Sequence, residues 1–179
     1  MELWDWWKKA CLEELNSLKE FDVWEFLEDD PQLKIAGSRW VFAVKRSSDN
    51  MILHFKACFV VQGFTQELGV DCFATFALTA SLSSLQLLFA LAEINKWEIN
   101  TFDVSTAYLH SPIDEDIYVW PPVELCPELK GKVLKLKKAL YGTKQAPRCW
   151  WKLFHAVMEK LAFTVEEIEF IDVGRVMIF

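Results

Sequence analysis

Trp40-Val41-Phe42-Ala43-Val44-Lys45-Arg46-Ser47-Ser48-Asp49-Asn50-Met51-Ile52-Leu53-His54-Phe55-Lys56-Ala57-Cys58-Phe59-Val60-Val61 holds two apolar alternations on either side of a polar tetrad. A strand sends successive side chains to opposite faces. Trp40, Phe42 and Val44 therefore share one face of the first arm. Leu53, Phe55, Ala57, Phe59 and Val61 share one face of the second, with His54, Lys56 and Cys58 on the other. Ser47-Ser48-Asp49-Asn50 is made of residues that turn a chain. The stretch predicts a β-hairpin with one apolar face.

Towards the N-terminus, Trp4, Trp7, Cys11, Leu15 and Leu18 recur at steps of three and four, the stripe of a helix near residues 3–19. Residues 23–27 read as a short strand before the turn Glu28-Asp29-Asp30-Pro31. Beyond the hairpin, Ser81 or Ser83 caps a helix running to about Lys96, with Leu82, Leu85, Phe89 and Ala92 inward. Residues 97–104 read as a strand that carries Asp103 at its end. Residues 117–120 form another before Pro121-Pro122, and Val133 and Leu134 belong to a third. Pro147 suits a first helical turn, and Trp150, Phe154, Val157 and Leu161 give that helix its stripe, to about residue 162. Strands and helices mix without strict alternation, so the class is α+β.

At 179 residues the chain is long enough for one domain with a real core. Apolar residues make up 53% and charged ones 25%, which excludes a disordered tail. Nine Trp and fourteen Phe exceed what such a core needs and suggest aromatic faces kept for a partner. The net charge of −7 argues against a nucleic-acid binder as a whole. Its distribution is polarised: the first thirty residues hold ten acids, whereas residues 130–148 hold seven basic residues and no acid. That stretch is either a solvated surface or a basic face. Five cysteines without CxxC spacing indicate neither a disulfide framework nor a zinc site, but buried thiols in a reducing compartment. No leader pattern or spanning run is seen, so the expectation is a soluble protein inside the cell, in cytoplasm or nucleus, neither secreted nor in a membrane.

Asp103 is the acid with the most chemical promise. A carboxylate where an apolar strand ends can reach a metal ion at a sheet edge. It can equally cap a helix starting in Val104-Ser105-Thr106-Ala107. His54, His110 and His155 lack metal-ligand spacing, and Asp114-Glu115-Asp116 reads as a solvated turn.

Six segments, in order, resemble the reverse transcriptase of copia-type LTR retrotransposons. They are residues 40–45, Lys56-Ala57-Cys58-Phe59-Val60-Val61-Gln62-Gly63-Phe64-Thr65-Gln66, Gly69-Val70-Asp71, Phe73-Ala74-Thr75-Phe76-Ala77, Phe102-Asp103-Val104-Ser105-Thr106-Ala107-Tyr108-Leu109 and Ala139-Leu140-Tyr141-Gly142-Thr143-Lys144-Gln145-Ala146-Pro147-Arg148-Cys149-Trp150. The last is the most specific, and together they span roughly residues 3–163. The resemblance implies part of a right-hand polymerase: fingers and adjoining helices in residues 1–96, and a partial palm, an antiparallel sheet with packed helices, in residues 97–179. The hairpin then projects from a sheet containing residues 97–104. The resemblance makes Asp103 the catalytic acid, binding Mg²⁺ together with Val104. Tyr108 lies under the incoming sugar, or is an ordinary core aromatic. Lys45 and Lys56 contact the triphosphate, or are solvated hairpin residues. Tyr141, Gly142, Lys144 and Gln145 line the nucleotide pocket, and Pro147 and Arg148 meet the nucleic acid. The implied partners are an RNA or DNA template-primer, deoxynucleoside triphosphates and the remaining polyprotein domains.

The departures point the other way. The family completes its site with a Tyr-x-Asp-Asp hairpin, whereas the only Asp-Asp here is Asp29-Asp30, on the wrong side of Asp103. Cys58 stands for a usual Arg, Leu78 for Pro, Gln86 for Arg, and Thr143 for an apolar residue. The expectation is a truncated domain, inactive alone, without thumb or RNase H. The alternative is a non-catalytic nucleic-acid or protein-binding module derived from it, using residues 130–148 and exposed aromatics.

Overall fold

The computed structural model describes residues 3–67, 82–101, 103–163 and 176–178. Its elements are α1 (Leu3–Glu20), β1 (Trp24–Glu28), β2 (Ile35–Ala36), β3 (Ser38–Arg46), β4 (Ile52–Val61), α2 (Leu82–Asn95), β5 (Ile99–Thr101), α3 (Ala107–His110), β6 (Tyr118–Val119), β7 (Lys132–Leu136), α4 (Ala146–Lys160) and β8 (Val176–Ile178). Ser81, Leu78, Cys72, Phe102 and the segments Gly69-Val70-Asp71 and Phe73-Ala74-Thr75-Phe76-Ala77 lie outside the described residues, as do the side chains of Leu82 and Leu85.

β3 and β4 form the expected antiparallel hairpin, with Trp40 opposite Phe59 and Lys45 opposite His54. Its turn closes through Ser47 N–H to the Met51 carbonyl at 2.9 Å, with Asn50 left-handed at φ 61°; Asn tolerates that region better than most residues. α1 covers the apolar face. Trp7 packs edge-on against Phe42 and Phe55 at 5.0 and 4.6 Å, and Ala10 and Cys11 are buried with Ala57.

A second sheet runs in the order β1-β7-β6-β2. It departs from the antiparallel expectation, because β2 lies parallel to β6. The hairpin is rooted here, not on residues 97–104. Ser38 Oγ donates to the Trp120 carbonyl at 2.7 Å, and Val61 N–H donates to the Tyr141 carbonyl at 2.8 Å. The main core lies beneath this root: Leu18, Val23, Phe59, Val61, Leu109, Val119, Leu134 and Leu140. The strand foreseen over residues 97–104 is shorter. Among its described residues only Ile99–Thr101 pairs, antiparallel with β8, a strand that no pattern announced.

Two helical stripes are covered less than periodicity implied. Among the described side chains of α2, Leu88 and Ala92 are buried, while Phe89 is exposed. In α4 they are Ala146, Cys149 and Met158. Val157 and Leu161 instead border an open apolar cavity of about 430 Å³ with Trp150 and Phe154. Periodicity reports which face is apolar, not which face is covered. Cys11 and Cys149 are buried as expected, Cys58 and Cys126 partly so, and all four thiols are free. Among the described residues, no helix is long and apolar enough to cross a membrane.

Candidate active site

Asp103 is exposed just beyond β5, and Val104 is half-buried. The helix after them starts at Ala107 with Thr106 in the cap position, left-handed at φ 53°. Asp103 therefore does not stand in the cap position of α3. Tyr108, on α3, packs on Ala139, Ala146 and Cys149, with its ring centroid 5.2 Å from that of Tyr141. It is a core aromatic on one side and half of an aromatic pair on the other. Burial pushes the Tyr141 phenol above its ordinary pKa; Glu14, Cys58, Tyr108 and Asp103 add to the rise. Asp103, Tyr108 and Tyr141 thus occupy one neighbourhood.

The hairpin reaches the same neighbourhood with its polar face. Register places Lys45, His54, Lys56 and Cys58 together, away from α1. Burial and Glu14 raise the Cys58 thiol against the pull of Lys56 and Lys45. That thiol is also close enough to act on Tyr141. Lys45 and Lys56 are exposed.

Glu14 is a residue the sequence reading missed. Its carboxylate accepts Phe59 N–H at 3.1 Å, on β4. Burial raises its pKa, while the Phe59 hydrogen bond and Lys56 lower it. The signal was present, since position 14 falls three after Cys11 and four before Leu18, inside the apolar stripe.

The segment from Tyr141 to Arg148 turns largely inward. Gly142 is at φ 91°, and a Cβ there would lie 2.0 Å from the Val61 carbonyl oxygen. A Cβ on Gly63 would lie 2.0 Å from the Gly142 carbonyl oxygen, so two backbones cross where no side chain fits. Thr143 is buried with its hydroxyl donating to the Leu140 carbonyl at 2.8 Å, which satisfies the polar atom standing at an apolar position. Lys144 Nζ donates to the Gln66 carbonyl at 2.8 Å. Gln145 is fully buried between Gln66 and Glu115, at 3.0 and 2.5 Å. Pro147 opens α4 as expected. Arg148 forms a two-pronged pair with Asp114 at 2.8 and 2.6 Å and a bond to Glu115 at 3.0 Å.

Asp114 and Glu115 are therefore not a solvated turn. Burial works to raise the Asp114 carboxyl, but hydrogen bonds from Lys152 and Arg148 and their charges bring it down to about 2. The basic stretch is similarly engaged: Lys132 with Glu28, Lys135 with Asp116 and Lys137 with Asp22. Three consecutive acids beside a basic stretch without acids were the signal for the pairs of Arg148 and Lys135 with Asp114, Glu115 and Asp116; those with Glu28 and Asp22 had none.

An Asp103 carboxylate and a Val104 carbonyl are hard oxygen donors of the kind Mg²⁺ takes. Among the described residues, no group of three His, Cys, Asp or Glu side chains could hold a metal ion. These residues alone do not build a two-metal centre.

A family model described as reverse transcriptase (RNA-dependent DNA polymerase) matches residues 21–172. The chain is 34% identical over 158 residues to the retrovirus-related Pol polyprotein from transposon TNT 1-94 of Nicotiana tabacum, covering 87% of this chain and 12% of that one. It is 33% identical over 147 residues to the polyprotein from transposon RE1 of Arabidopsis thaliana, covering 81% and 10%. The truncated transposon Ty1-A Gag-Pol polyprotein of Saccharomyces cerevisiae is 29% identical over 158 residues, covering 85% and 12%. The chain thus spans about a tenth of the length of these relatives.

Proposed function

Because the chain belongs to the reverse transcriptase (RNA-dependent DNA polymerase) family, of the copia type, we propose that it supplies the nucleotide-facing side of an RNA-directed DNA polymerase site. In this reading residues 1–96 serve as fingers and residues 97–179 as part of the palm. Asp103 is the catalytic acid, and Val104 offers its carbonyl beside it. Tyr108 lies under the sugar of the incoming deoxynucleotide. Lys45 and Lys56 offset the triphosphate charge from the hairpin side, as phosphoryl transfer requires. The template-primer and the remaining polyprotein domains complete the assembly, inside the cell.

One observation carries the reading. The exposed Asp103 acts on the Tyr108–Tyr141 pair, and the polar face of the hairpin reaches that pair through Cys58. Nucleotidyl transfer through two metals needs more than one such acid, so the 179 residues are inactive by themselves.

Primer extension on an RNA template tests this. The purified chain yields no product with Mg²⁺ or Mn²⁺. A chimera that takes the Tyr-x-Asp-Asp hairpin and thumb from an intact relative extends the primer, and Asp103→Asn lowers its rate on the order of 10³-fold. Template-dependent synthesis by the 179 residues alone, lost on Asp103→Asn, contradicts the inactivity. A chimera indifferent to Asp103→Asn contradicts the catalytic assignment.

A further inference from the structure

The resemblance assigns Gln145 to the nucleotide, yet the structure buries it completely. Its surroundings suggest a different task. Lys144 N–H donates to Gln66 Oε1 at 2.9 Å. Gln66 Nε2 donates to Gln145 Oε1 at 3.0 Å, and Gln145 Nε2 donates to Glu115 Oε2 at 2.5 Å. Every donor in this chain points the same way. A backbone N–H can only donate and a carboxylate can only accept, so the two ends dictate how both amides are turned. Gln66 is nine-tenths buried or more, as is Gln145, and a reversed amide there would set acceptor against acceptor in a medium that screens poorly.

The relay spans three segments. Gln66 follows β4, and its backbone N–H is held by the Gly63 carbonyl. Gln145 ends the turn that begins at Tyr141. Glu115 lies on the loop leading from α3, which carries Tyr108. Arg148 holds the far end of the relay, bonded to Glu115 and Asp114. Backbone bonds between Ser111 and Ala139 and between Ile113 and Lys137 set the course of the loop, but neither reaches the Tyr141 turn.

We propose that Gln66, Gln145 and Glu115 are positioning residues, a one-way hydrogen-bond relay that fixes the Tyr141 turn relative to the Tyr108 helix and so sets how the two rings meet. That this ring pair faces a nucleotide rests on the function proposed above; the relay does not.

The chain has three tyrosines, Tyr108, Tyr118 and Tyr141. Ring-labelled tyrosine therefore gives a short NMR spectrum, assigned by single Tyr→Phe changes. The native chain shows a through-space cross-peak between Tyr108 and Tyr141, whose rings are 5.2 Å apart. Gln145→Glu confronts the Glu115 carboxylate with another acceptor; the cross-peak is lost and both resonances shift, while Tyr118 on β6 keeps its place. Glu115→Gln alone preserves the cross-peak, since an amide oxygen still accepts. Combined with Gln145→Glu it restores the cross-peak, because the amide at position 115 now donates. A general loss of stability has no reason to be repaired by that pair. If Gln145→Glu does not fold, recovery of fold and cross-peak in the pair supports the relay, and failure to recover overturns it. An unchanged Tyr108–Tyr141 cross-peak in a folded Gln145→Glu chain also overturns it. No nucleotide or metal enters the measurement, so the relay can fail with the polymerase reading intact, and the converse.

Discussion

Two regions of this molecule carry residues that the same motifs mark as functional, and they are built in opposite ways. Around Asp103 the charged groups face outward: Asp103 itself, and Lys45 and Lys56 on the hairpin. Around Gln145 the polar groups face inward, with Lys144, Gln145 and Arg148 all bonded to protein partners. A group that must meet a ligand keeps donor or acceptor capacity towards solvent. A group whose capacity is taken up by its neighbours shapes the place where the ligand sits. Motif membership alone does not separate the two, whereas burial does.

The sharpest way to break this contrast is at Tyr108 in the reconstituted polymerase. If its ring packs under the sugar, Tyr108→Val opens room for a 2′-hydroxyl. The ratio of kcat/KM for ribonucleotides over deoxyribonucleotides then rises by about one to two orders of magnitude. Tyr108→Phe keeps the ring and leaves the ratio unchanged. If Tyr108 serves only the core with Ala139 and Cys149, both activities fall together and the ratio stays fixed.

The inward region responds in stability. Gly142→Ala strains a backbone at φ 91° and drives a Cβ into the Val61 carbonyl. Denaturant unfolding records a loss of about 3 kcal/mol or more. Gly131→Ala has a similar φ of 81° but nothing within 4 Å, so it loses only about 1–2 kcal/mol. Equal losses at the two glycines contradict the close approach of Gly142 to the Val61 carbonyl.

A smaller effect appears in acid. The Asp114 carboxyl is held down at about 2, below its ordinary value near 4. Its contribution is therefore fully present above about pH 4 and fades as the pH falls through about 2. With 40% of the side chain exposed, the contribution is at most about 1 kcal/mol and shrinks with salt. Unfolding of the native chain and of Asp114→Asn, compared across this range, shows a gap that is level above about pH 4 and narrows below it. A gap that widens towards pH 2 contradicts the ion pairs with Arg148 and Lys152.

The hairpin, α1, β1 and α4 were legible because each depends on a local repeat: a period of two with a polar turn, or steps of three and four with Pro147 at the start. The class α+β followed from those elements. What stayed illegible depends on distance along the chain. Gln66 and Gln145 are 79 residues apart, and Gln145 and Glu115 are 30 apart, so no local pattern couples them. The parallel pairing of β2 with β6 and the pairing of β5 with β8 are long-range in the same way. Asp103 and Tyr108 were readable as a motif, but the approach of Tyr108 to Tyr141 appeared only in three dimensions.

Paramagnetic broadening tests the central claim most directly. Mn²⁺ with a deoxynucleoside triphosphate is titrated into the tyrosine-labelled chain, native and Asp103→Asn. The account predicts that Tyr108 and Tyr141 broaden in the native chain and recover in Asp103→Asn, while any broadening of Tyr118 is the same in both. Broadening of Tyr108 and Tyr141 that is absent from the native chain, or that survives in Asp103→Asn, would contradict a nucleotide-facing site at Asp103.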